Sequence, residues 1–116
     1  MLTDFLKILE NVANRPDFPV LRGKFVKFNA LSRSDRSLIA ACPLTQVAIK
    51  AGADMKHLHY AVYPADYVVD FLKERFNVSQ EIIDYVWQEY DNGTPLAQIV
   101  AALELELGDE NSKLSN

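Results

Sequence analysis

Apolar side chains recur at helical spacing through most of the chain. Phe5, Ile8, Leu9 and Val12 share one stripe, which predicts a helix from a Thr3 cap to about Asn14. Arg15-Pro16 stops it, because a residue before proline is pushed out of the α region. Further along, Cys42-Pro43, Tyr63-Pro64 and Thr94-Pro95 each place proline at a first helical position, where its missing N–H costs nothing. The helix after Pro43 is expected to end at Gly52, and the one after Pro64 at about Phe76. Ser79 caps the next, with Val78 and Ile83 as a hydrophobic staple, and Asn92-Gly93 closes it. The last carries Leu96, Ile99, Val100, Leu103 and Leu107 from a Thr94 cap to Gly108.

Residues 20–41 break this rhythm. Lys24 to Phe28 is aromatic and β-branched, which favours a short strand. Two readings of the following stretch stay open. Ser32 and Asp35 can form a capping box that starts a helix to about Ala41. Alternatively, Ser32–Asp35 is a turn joining strands near 24–29 and 37–41, and this hairpin is the preferred reading. The expected fold is therefore mainly α: a small orthogonal bundle of about five helices with a short β-hairpin near 24–41. Residues 1–108 form one globular domain, and 109–116 read as a disordered acidic and polar tail.

Several apolar arcs are wider than an ordinary amphipathic stripe. Val68, Val69, Phe71, Leu72 and Phe76 flank Tyr67, and Ile82, Ile83, Tyr85, Val86, Trp87 and Tyr90 crowd the next helix. Either these helices are covered on two sides, or the excess is a partner surface. Tyr67, Trp87 and Tyr90 are accordingly the protein-interface candidates. Their alternative role is as core residues with polar tips at the surface.

Charge adds a polarity. The net charge of −4 is distributed as +3 over residues 1–36, zero over 37–76 and −7 over 77–116. Arg22, Lys24, Lys27, Arg33 and Arg36, interleaved with Phe18, Phe25 and Phe28, are candidates for gripping nucleic acid by charge and stacking. Against that, the domain is acidic as a whole, and the bases can pair with the acidic helices instead. The helix after Thr94 offers Gln98 alone to base edges and then Glu104 and Glu106, so it does not read DNA.

Chemistry is sparse. Cys42 at a helix N-terminus is a reactive-thiol candidate, since that dipole end lowers thiol pKa; otherwise it is a small buried hydrophobe. His57 and His59 can serve it as a base or join a metal site, but too few ligands accompany them. Asp66, Asp70 and Glu74 line one helix face, with a solvated face as the default. No phosphate-binding loop, dinucleotide turn or nucleophile elbow occurs, so no catalytic residue, metal ligand or cofactor is assigned. One cysteine allows no internal disulfide, and Asp4 and Lys7 interrupt the N-terminal apolar run. A cytoplasmic, non-membrane protein is expected.

The Cys42-Pro43-Leu44-Thr45 helix start, Gly52, and Asp91-Asn92-Gly93 before the last helix give a resemblance over residues 37–103. The chain resembles a diffuse group of small uncharacterised bacterial and phage-encoded all-α proteins. In that group the Asn-Asp order is commoner than the Asp-Asn found here. The resemblance implies a prokaryotic or phage cytoplasmic origin and no site residues. The functional expectation is a non-enzymatic interaction or regulatory protein that binds another protein or itself as a homodimer. A nucleic-acid accessory protein and a small thiol- or metal-dependent enzyme are the alternatives.

Overall fold

A computed structural model describes residues 2–28, 38–60 and 63–114. Among them are six helices, α1 (Leu2–Asn14), α2 (Pro43–Lys50), α3 (Met55–Tyr60), α4 (Pro64–Phe76), α5 (Gln80–Asp91) and α6 (Leu96–Leu114). Two strands, β1 (Val26–Phe28) and β2 (Leu38–Ala41), lie between α1 and α2. The chain is thus a small helical bundle with a short antiparallel hairpin. Of the two readings of residues 32–41, the strand reading holds for 38–41; residues 29–37 lie outside the described residues.

The hairpin pairs Val26 with Ala41, Lys27 with Ala40 and Phe28 with Leu38, with an irregularity between Lys27 and Phe28. On its other side β2 meets the proline-bracketed segment after α1. There Leu21 N–H donates to the Ala41 carbonyl (3.0 Å), and Ala41 N–H donates to the Pro19 carbonyl (3.1 Å). The segment bends at Asp17 and Phe18 between its two prolines, and Val20 then bridges Ala41 in parallel.

Helix α2 is the centre of the bundle. Every residue from Pro43 to Ala48 is buried, including the polar Thr45 and Gln46. A helix buried all round needs an internal partner for each polar side chain. Gln46 finds three. Its Nε2 donates to the carbonyls of Phe18 (2.9 Å) and Ala41 (3.0 Å), and its Oε1 accepts from Phe18 N–H (3.4 Å). The carboxamide therefore imitates a strand partner for Phe18, and Lys50 adds an ion pair to Asp17 (3.1 Å) on the same segment.

Around α2 pack α1 through Phe5, Leu6, Leu9 and Val12, α4 through Val68, Leu72 and Phe76, and α5 through Ile83 and Val86. Helix α6 contributes Leu96, Ile99, Val100 and Leu103. An edge-on contact between Phe5 and Phe76, with centroids 5.8 Å apart, joins α1 to α4. The expected staple is in place: Val78 and Ile83 are both buried, and Ser79 Oγ accepts from Ile82 N–H (3.3 Å).

Residues 55–60 form helix α3, which starts where Asp54 Oδ1 accepts from Lys56 N–H (2.8 Å). Three local expectations need correction. Helix α1 begins at Leu2, so Thr3 lies inside it. Thr94 does not cap α6; its hydroxyl donates back to Glu89 Oε2 (2.9 Å), and the Pro95 carbonyl accepts the first bonds of α6. Finally, α6 does not end at Gly108 but runs on to Leu114. A glycine inside a helix costs only about 1 kcal/mol relative to alanine, and no proline follows to end it.

The Gln46 contacts should outweigh the ion pair beside them. Gln46→Leu keeps the volume but strands the Phe18 carbonyl and N–H, while the Ala41 carbonyl keeps its bond from Leu21, and is expected to cost about 2 to 3 kcal/mol of unfolding free energy. Lys50→Met is expected to cost less than about 1 kcal/mol. Urea denaturation of both variants checks this, and equal losses would contradict the central place given to Gln46.

Candidate functional site

The three interface candidates do not form one patch. Trp87 and Tyr90, three residues apart on α5, face the segment leading into β1. Phe25 stacks on Trp87 with ring centroids 4.3 Å apart. The Arg22 guanidinium lies 4.5 Å from the Tyr90 ring centroid, and its Nε donates to the Tyr90 carbonyl (2.9 Å). A cation over an aromatic ring and against the last carbonyls of a helix is doubly favourable there. Between them, Gly23 adopts φ 79°, a left-handed turn that L side chains resist, where the segment passes Asp91. Tyr67 sits elsewhere, on α4, where its hydroxyl accepts from Asp54 N–H (2.9 Å) and its ring lies near His57 and Phe71. All three rings are half-buried and engaged by their own chain. The wide apolar arcs are therefore largely covered from within.

The large apolar side chains left exposed among the described residues are Tyr63 (71%), Tyr85 (36%) and Leu105 (72%). Tyr63 stands at the N-cap of α4 without capping it through its side chain. From there the exposed face of α4 runs through Asp66, Asp70 and Glu74, so the expected carboxylate row is present and headed by an open ring. On α5 the outward stripe is Glu81, Asp84, Tyr85 and Gln88. Helical spacing contains the signal for Tyr85, which shares a face with Glu81, Asp84 and Gln88 rather than with the buried Ile83 and Val86. Tyr63 precedes the helix, and periodicity does not reach it.

The basic candidates divide. Arg22, Lys24 and Lys27 are exposed, whereas Arg33 and Arg36 lie outside the described residues. Arg22 is already committed to Tyr90. Phe18, Phe25 and Phe28 pack against the core rather than standing open for base stacking. The segment therefore offers charge with few free rings.

Cys42 is wholly buried at the N-cap of α2. Its Sγ accepts from Thr45 N–H (3.5 Å) and lies 3.3 Å from Thr45 Oγ1. Burial pushes the thiol pKa up and outweighs the lowering from Thr45. The low-pKa thiol expected at a helix N-terminus is thus reversed: the apolar surroundings disfavour the thiolate more than the dipole favours it. His57 stands exposed on α3, with Nδ1 3.3 Å from Asp54 Oδ2, and the His59 side chain lies outside the described residues. Among the described residues no group of three His, Cys, Asp or Glu is placed to hold a metal ion. No helix among them is long and apolar enough to cross a membrane.

The buried thiol has two measurable consequences. Alkylation of Cys42 by iodoacetamide at neutral pH is expected to be at least about a hundredfold slower in the folded chain than in urea, because reaction requires opening. Above pH 9.0, the ordinary thiol value, the unfolded chain releases a proton that the folded chain retains, so stability falls as pH rises further. Cys42→Ala should remove that part of the alkaline loss, as read by denaturation at pH 8 and at about pH 10.

No protein-family model, curated protein or solved structure matches the chain.

Proposed function

We infer that the chain is a non-catalytic protein-binding module that presents the acidic, aromatic outer face of α4 to a basic segment of another protein. The observation that carries this reading is Tyr63, 71% exposed at the head of a row formed by Asp66, Asp70 and Glu74. An open tyrosine among carboxylates suits a lysine- or arginine-bearing partner. The ring contributes apolar area and a face for a cation, and the carboxylates speed encounter and fix register. The outward Glu81, Asp84 and Tyr85 of α5 have the same character. Two copies meeting through such faces would repel, so the partner on this face is a different protein rather than a second copy. The resemblance implies only a prokaryotic or phage cytoplasmic origin; a regulatory role is part of our own reading.

Nucleic acid is the second reading, favoured by the exposure of Lys24 before β1 and Lys27 within it. It makes the opposite demand, since the acidic faces would repel phosphate.

The test compares co-purification by the tagged chain, a Tyr63→Ala variant and a variant carrying Asp66→Lys, Asp70→Lys and Glu74→Lys, each verified as folded by circular dichroism. Partners held through this face are expected to be basic, to be lost by both variants and to be weakened by salt; purified, they should bind the charge-reversed chain at least about tenfold more weakly. An unchanged set of bound proteins would overturn the reading. Salt-sensitive binding of a single-stranded oligonucleotide, abolished by Lys24→Ala and Lys27→Ala together, would replace it with the second.

A further inference from the structure

The turn between α5 and α6 is built on Asn92-Gly93, a sequence with its own chemistry. An asparagine side chain followed by glycine is open to attack by the next backbone nitrogen, because glycine places no side chain in the way. The Gly93 nitrogen forms a bond to Asn92 Cγ, the Cγ–Nδ2 bond breaks, and the side-chain nitrogen leaves as ammonia with the proton lost by Gly93. Water then opens the resulting imide at either carbonyl, giving aspartate or isoaspartate at position 92. Both residues are exposed, so water reaches the site freely.

The folded turn holds the reacting atoms apart. Asn92 has ψ −4°, and ring closure needs its Cβ and the following nitrogen to come into eclipse by rotation away from that angle. That rotation is opposed by a closed set of bonds: Asn92 N–H to the Gln88 carbonyl (2.9 Å), Gly93 N–H to Tyr90 (3.1 Å) and Thr94 N–H to Glu89 (2.9 Å). Gly93 itself has φ 103°, a conformation that glycine takes without strain. The attacking nitrogen thus has its hydrogen engaged on the Tyr90 carbonyl. That same carbonyl accepts Nε of Arg22, from the segment before β1, at 2.9 Å. One oxygen therefore ties the reactive peptide to a distant part of the chain.

We propose that Asn92-Gly93 is a self-modifying site, gated by the Tyr90 carbonyl and by the Arg22 contact that holds it. While Arg22 and Gly93 both donate to Tyr90, the imide does not form; when the turn opens, the reaction proceeds without an enzyme. Either product adds a carboxylate beside Asp91 and at the negative end of the α5 dipole, which disfavours closing the turn again. Isoaspartate also lengthens the backbone by one methylene and cannot keep the three-bond register. The modification therefore marks molecules in which the segment from Arg22 has let go.

The test follows conversion at position 92 by peptide mass and isoaspartate assay, at mildly alkaline pH, in buffer and in urea. The folded chain is expected to react at least about tenfold more slowly than the chain in urea, the ratio set by the opening equilibrium of the turn. Arg22→Ala, checked as folded by circular dichroism, should accelerate the reaction in buffer several-fold while leaving the rate in urea unchanged. Arg22→Lys, which keeps the cation but lacks the Nε donor, should behave likewise, and Asn92→Gln should show no conversion in this interval. Equal rates in buffer and urea would overturn the gate, and unaltered rates in both Arg22 variants would overturn the part given to Arg22.

Discussion

The bundle depends on one carboxamide. Gln46 projects from the most buried helix and engages backbone groups on two other segments, at Phe18 and at Ala41. Only an amide of this length supplies a donor with two hydrogens and an acceptor at one end. A glutamate lacks the donor, a leucine lacks both, and an asparagine is shorter by a methylene. Without this group the polar contacts holding the proline-bracketed segment, among the described residues, are its bonds to Ala41 and the Lys50–Asp17 pair, beside the packing of Phe18 on the core. That segment in turn delivers Arg22 and Phe25 to α5, so a polar contact inside the core determines how Trp87 and Tyr90 are covered.

The helical skeleton was legible because its signals are local. The prolines at 43 and 64 mark true first turns, Ser79 caps through its own oxygen, and Val78 and Ile83 are both buried in the core. The hairpin was legible for a different reason: β-branched and aromatic residues at 24–28 resist helix, and β2 must end where Pro43 starts α2. What the pattern missed are competitions decided by neighbours. The Thr94 hydroxyl had two uses available, and Glu89 on the preceding helix claimed it. Asp54 stands outside every apolar stripe, yet it starts a short helix and pairs with His57.

Less of the candidate site could be read. Wide apolar arcs on α4 and α5 leave two readings open, because amphipathic counting cannot say whether the second cover is another protein or a remote part of the same chain. Here it is the chain itself. Phe25 and Arg22 arrive from more than sixty positions away to lie on Trp87 and Tyr90, which no periodicity encodes. The open aromatic, Tyr63, falls outside any helical stripe, so the pattern that drew attention to Tyr67 passed over it. Cys42 shows the same limit in electrostatics. Its position at a helix start was readable, but the sign of its pKa shift depends on burial, which only the assembled core determines.

A helix enclosed on every side by other elements cannot fray alone. To wet α2, the molecule must lift α1, α4 or α5 away, or release the segment pinned at Phe18, and each of these also exposes the others' apolar faces. The amides of this helix should accordingly exchange with solvent only through the largest opening the molecule undergoes, whereas those at the start of α3 and along the far end of α6 exchange through small local ones. A chain of this length thereby concentrates its cooperativity in one short helix at its middle.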